Sequence, residues 1–69
     1  MTRARVKKLY EHRGFCICAP LDGGRDIFCH FSMLGIGFDE SSDLSLDDQL
    51  DIEYENHPNG LRATYAERV

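Results

Sequence analysis

A chain of 69 residues has room for one domain with one small core. Its 42% hydrophobic content is too high for general disorder. No apolar run approaches the ~20 residues that a membrane-spanning helix requires. The net charge of −4 is unevenly spread, +3 over residues 1–32 and −7 over residues 33–69. A nucleic-acid-facing half beside a solvated half produces such a split, and so do acidic residues that merely solubilise the outer faces of late strands. The basic start, Met1 to Lys8, leads into no apolar segment. The expectation is therefore a cytoplasmic protein without a secretory signal.

Arg3 to Tyr10 reads as a first strand, with Val6 and Leu9 apolar among basic residues. The alternation is imperfect, which predicts a bend or a bulge. Glu11-His12-Arg13-Gly14 reads as a turn in which Gly14 is free to take a positive φ. Gly14 to Ala19 is the second strand. Pro20 to Gly24 is a hairpin loop with favoured Asp-Gly and Gly-Gly pairs, and Asp26 to His30 is the third strand. Side chains project to opposite faces with period two. Phe15 and Ile17 thus share one face of the second strand, and Cys16 and Cys18 the other. In the third strand Phe28 and His30 share one face, and Ile27 and Cys29 the other. A half-buried strand should carry polar residues outside. These two do not, so either both faces are buried or one is an exposed aromatic platform. Cys16, Cys18, Ile27 and Cys29 already supply an inner face, which assigns Phe15 and Phe28 to an outer one.

The cysteine count is odd. In a reducing compartment free Cys behaves as a small buried hydrophobe. Cys-x-Cys with one further Cys lacks the paired short spacings of structural zinc modules, and His30 belongs to the opposite face. No metal and no cofactor are expected. No nucleophile has a base and an orienting group spaced around it, so the chain does not read as an enzyme.

Ser32 to Gly35 reads as a short helical turn, capped by Ser32 and ended by Gly35. Ile36 to Leu46 is a long loop with Ser41-Ser42-Asp43 at its most polar point. Gln49 to Glu55 alternates with Leu50, Ile52 and Tyr54 inward. Asn56 to Gly60 is a turn, and Leu61 to Ala66 a final strand. Five short strands joined by turns predict an all-β fold, a small closed or partly closed barrel.

Two segments carry a family resemblance. Arg13-Gly14-Phe15-Cys16-Ile17-Cys18 resembles the first ribonucleoprotein motif of cold-shock domains, usually Lys-Gly-Phe-Gly-Phe-Ile. Ile27-Phe28-Cys29-His30-Phe31-Ser32 resembles their second, usually Val-Phe-Val-His-Phe-Ser. Asp22 to Asp26, Gly35 to Phe38 and the Asn59-Gly60 turn also fit, so the resemblance covers almost the whole chain. It implies a five-stranded antiparallel Greek-key barrel of the OB-fold type. It further implies binding of single-stranded RNA or DNA on the first three strands, in the service of an RNA chaperone or a regulator of gene expression. By motif position Phe15, Phe28, His30 and Phe31 are the implied stacking residues, with Phe38 added from the loop. Lys7, Lys8 and Arg13 are the implied backbone contacts.

The departures bear on strength. The family's first-strand Lys-Trp-Phe is here Lys7-Lys8-Leu9, and the second aromatic of the first motif is Ile17. Two stacking surfaces are thereby lost, each worth ~1–3 kcal/mol per base. The loop after Phe38 is longer and acidic, and the last turn has Gly60-Leu61 for the usual Gly-Pro. The expectation is weaker binding than is typical of the family. The alternative is a diverged barrel that binds a protein partner through Phe15, Ile17, Phe28 and Phe31. A monomer is expected; pairing through an open edge strand is the route to a dimer.

Overall fold

The computed structural model describes residues 1–35 and 44–69. Five strands form: β1 (Thr2–Tyr10), β2 (Phe15–Pro20), β3 (Ile27–His30), β4 (Gln49–His57) and β5 (Gly60–Arg68). Short 3₁₀ turns, Glu11–Arg13 and Phe31–Met33, follow β1 and β3. The sheet closes on itself in the order β1-β2-β3-β5-β4, the five-stranded barrel expected from the turn spacing. β1–β2, β2–β3, β1–β4 and β4–β5 are antiparallel, so the first three strands make the expected meander. The β3–β5 contact is parallel, through Ile27↔Leu61 and Phe28↔Arg62. Closure pairs every strand with a neighbour on both sides over part of its length.

Period two selects the core. Ala4 and Val6, Cys16 and Cys18, Ile27 and Cys29, and Leu50 and Ile52 are buried on that rule, while Ala63 and Ala66 of β5, three apart, are both buried because the β4–β5 register shifts between them. Small residues dominate this interior, as a narrow barrel demands. Leu44, 3% exposed, joins the core from the segment ahead of β4, where the sequence reads as plain loop. That segment docks on β1: Asp47 N–H donates to the Val6 carbonyl at 2.8 Å, and Val6 N–H to the Asp48 carbonyl at 2.9 Å.

β1 contains the predicted bulge, between Val6 and Lys8. Val6 pairs with buried Cys18, whereas Lys8 pairs with Ile17, Leu9 with Cys16 and Tyr10 with Phe15. Lys7 is the extra residue. Its insertion reverses the parity of the strand, which is why Val6 and Leu9, three apart, both face inward while Lys8 and Tyr10 face out.

Four details differ from the expectations. Tyr54 was placed inward, yet it is 42% exposed. β1–β4 pairing ends at Thr2↔Ile52, so beyond Ile52 one flank of β4 has no neighbouring strand among the described residues to cover Tyr54. The last hairpin is tighter than Asn56 to Gly60: only Pro58 and Asn59 lie outside the strands, and Gly60 takes φ 129°. The turn after β3 is capped by His30, not Ser32, its Nδ1 accepting from Ser32 N–H at 3.1 Å. Gly35 does not end that turn, where Leu34 is the cap. Gly35 instead lies against Tyr65, so that a Cβ here would meet the Tyr65 ring, while its N–H donates to the Ala66 carbonyl at 2.7 Å. Gly14 does take the expected positive φ, at 81°.

Candidate nucleic-acid interface

The outer face of β1–β3 is assembled by register. Lys8 stands opposite Ile17, and Ile17 opposite Phe28; Tyr10 stands opposite Phe15, and Phe15 opposite His30. Phe15, Ile17 and Phe28 are half-buried and His30 is exposed, so the aromatics form a surface and not a second core. Phe15 is the middle ring of a row. Tyr10 stacks on it with centroids 4.7 Å apart and planes 25° apart; Phe28 lies at 4.8 Å and 32°. Both spacings are those of favourable aromatic pairs, worth ~0.5–1.5 kcal/mol beyond area burial. The row continues onto β5, where the Arg62 guanidinium carbon lies 5.8 Å from the Phe28 centroid, within cation–π range.

His30 is held in place by its own turn. Its Nδ1 lies 2.8 Å from Ser32 Oγ while accepting from Ser32 N–H. Phe31 N–H donates to the Gly14 carbonyl at 2.9 Å, tying the end of β3 to the start of β2. Phe31 itself is half-buried and packs against the core cluster, because the chain leaves the strand at His30 and alternation no longer sets its side. Phe38 lies outside the described residues.

The implied phosphate contacts separate into two kinds. Lys8 and Arg13 are exposed and make no ion pair among the described residues. Lys7 is engaged, its Nζ 2.9 Å from Asp26 Oδ2. At the β3–β5 end of the row, Phe28, His57, Pro58, Gly60 and Arg62 border a groove of about 330 Å³. His57 Nε2 there lies 2.7 Å from Glu55 Oε1.

Beneath this face sit the thiols. Cys16, Cys18 and Cys29 are free and fully buried, as the alternation implied. Cys16 Sγ lies 3.8 Å from Cys18 Sγ, and Cys16 pairs with Cys29 across β2–β3. The Cys16 thiol is pushed up to about 12, first by its hydrogen bond to Cys18 and then by burial, against an opposing contact with Cys29. Cys29 is raised as well, first by its bond to Cys16 and then by burial.

No protein-family model matches the chain. It is 36% identical over 64 residues to the major cold shock protein of Micrococcus luteus, across 91% of each chain. The chain belongs to the cold-shock family. The closed all-β barrel is the OB-fold of cold-shock type that the two motifs implied. On this cold-shock barrel, sequence reasoning missed two outer-face residues, Tyr10 and Arg62. Tyr10 becomes visible only when the β1 bulge is counted and the parity reversed after Lys7. Arg62 depends on the parallel β3–β5 pairing, for which the sequence carries no local signal.

Proposed function

We propose that this cold-shock protein binds single-stranded RNA or DNA on the outer face of β1–β3, as an RNA chaperone or regulator of gene expression in the cytoplasm. The observation that carries the reading is the Phe15–Phe28 ring pair on an outer face, flanked by Lys8 and Arg13. Bases stack on such rings largely regardless of sequence, and free cations attract the phosphates. Ile17 and His30 complete the face, the imidazole offering a hydrogen-bonding edge. Lys7 acts more weakly because Asp26 already neutralises it. Phe31 supports the face from its core-side packing, and Phe38 is assigned by motif position alone. Binding is weaker than is typical of the family, since Lys8 and Ile17 stand where stacking groups are usual.

The test is titration with short single-stranded oligonucleotides at low salt, with Phe28→Ala alongside. The expected loss is ~1–3 kcal/mol of binding free energy, with the melting cooperativity of the variant preserved. Absence of any oligonucleotide binding by the unsubstituted protein overturns the reading. Capture of a protein partner that persists in high salt and is lost in Phe28→Ala then favours the protein-interaction alternative.

A further inference from the structure

We infer that Tyr10 is a base-stacking residue, the open end of the ring row. The inference rests on the nucleic-acid reading above and adds to it a residue outside the motif set. The argument is one of free ring surface. Phe15 has a ring neighbour on each side, Tyr10 at 4.7 Å and Phe28 at 4.8 Å. Phe28 has a ring on one side and the Arg62 guanidinium over it at 5.8 Å. Tyr10 has Phe15 as its ring neighbour among the described residues. A base that continues the row face to face therefore finds its open position on Tyr10.

The surroundings suit such a ligand. The β1 bulge turns Lys8 and Tyr10 to the same outer face, about 6.8 Å apart along the strand at two residues' rise. Exposed Arg13 follows in the 3₁₀ turn directly after Tyr10. A base on Tyr10 thus brings its phosphates within reach of two cations that make no ion pair among the described residues. The half-buried phenol has no hydrogen-bond partner among the described residues, leaving its hydroxyl able to donate to a base or a phosphate.

The absence of Trp makes the test direct, because intrinsic emission comes from tyrosine alone. Short single-stranded homopolymers of each base are titrated into the unsubstituted protein and into Tyr10→Leu, Tyr10→Phe and Phe28→Ala, each checked for a cooperative melt. Tyr10→Leu is expected to weaken binding about 5-fold or more, the lower end of the range for a stacked base. Tyr10→Phe keeps the ring and gives up only the hydroxyl, so it is expected to bind more tightly than Tyr10→Leu, with ligand-induced quenching of tyrosine emission reduced to what Tyr54 and Tyr65 contribute. Two outcomes overturn the inference while leaving the function intact. One is Tyr10→Leu binding like the parent while Phe28→Ala is impaired. The other is quenching in Tyr10→Phe as large in absolute amplitude as in the parent, which would leave no part of it to Tyr10 and make Tyr10 a mere support for Phe15. If the unsubstituted protein binds none of the homopolymers, the functional reading itself fails, and this inference with it.

Discussion

Cys16 and Cys29 hold their protons first through hydrogen bonds within the thiol cluster, and then because period two points them into the barrel, where a thiolate would lose its water without gaining a cation. This gives the protein a pH dependence whose sign follows from linkage. The Cys16 thiol has an ordinary value of 9.0 and is held at about 12 in the fold. Below 9.0 both states keep the proton and the contribution to stability is complete. Above it the unfolded chain ionises first, so stability falls as pH rises toward about 12. Melting temperatures measured on either side of pH 9.0 should decline on the alkaline side, and the Cys16→Ala, Cys29→Ala double variant should show a shallower decline. An equal slope in the variant would assign the effect to other groups, tyrosines and lysines among them. Which cysteines point inward was legible from alternation alone. The position of Tyr54 was not, because its exposure depends on where β1 stops.

Strand boundaries show the same division between local and remote causes. β2 and β3 were legible to within a residue, since aromatic and Cys alternation ends at Gly14, Pro20 and His30. β4 and β5 run further than their apolar patterns, because the β4–β5 ladder continues through polar residues to a turn that Gly60 permits. The β1 bulge was legible as an irregularity, and its consequence for the interface was not. One prediction belongs to this scale. Lys7 is the residue without a partner in the β1–β2 register, so its deletion leaves Val6 and Leu9 inward and Lys8 and Tyr10 outward. The deletion should fold, losing the exposed Lys7–Asp26 pair at a cost of about 1 kcal/mol or less. Each kcal/mol corresponds to about 4–8 °C of melting temperature for a domain of this size. Deletion of Ile17 from the regular strand β2 should instead reverse Phe15 and Cys16 against the rest of the sheet and abolish cooperative melting. Thermal circular dichroism of the two deletions decides it: similar behaviour in both would mean that register is not set by this alternation.

For the molecule as a whole, the charge split between the halves overstates the field available to a ligand. Barrel closure places basic β1 beside acidic β4, and the two neutralise each other across the seam. Arg3 Nε lies 3.0 Å from Asp51 Oδ1, which raises the guanidinium and holds the Asp51 carboxyl below its usual range. Arg5 pairs with Asp47 at 3.1 Å, Lys7 with Asp26 at 2.9 Å and Arg68 with Asp48 at 3.5 Å. These pairs, exposed except for the part-buried Arg68–Asp48, add little to stability, but they occupy cations that composition alone would assign to nucleic acid. Among the described residues Lys8 and Arg13 on the interface, and Arg62 at its β5 edge, stay out of these pairs and are the interface cations that remain for phosphates; Arg25, also outside them, lies in the loop ahead of β3. Each phosphate neutralised on a single strand contributes about −0.7 to the slope of log K against log salt. Three contacts predict a slope of about −2, whereas recruitment of Arg3, Arg5 and Lys7 as well would give about −4. Oligonucleotide affinity measured across salt concentrations separates the two. A shallow slope, reduced by about 0.7 in Lys8→Gln or in Arg13→Gln and unchanged in Arg3→Gln, is the result expected if the seam pairs stay closed when the ligand binds. A slope near about −4 would mean that nucleic acid displaces Asp51, Asp47 and Asp26 from their partners, and that the binding surface extends over β1 to its seam with β4.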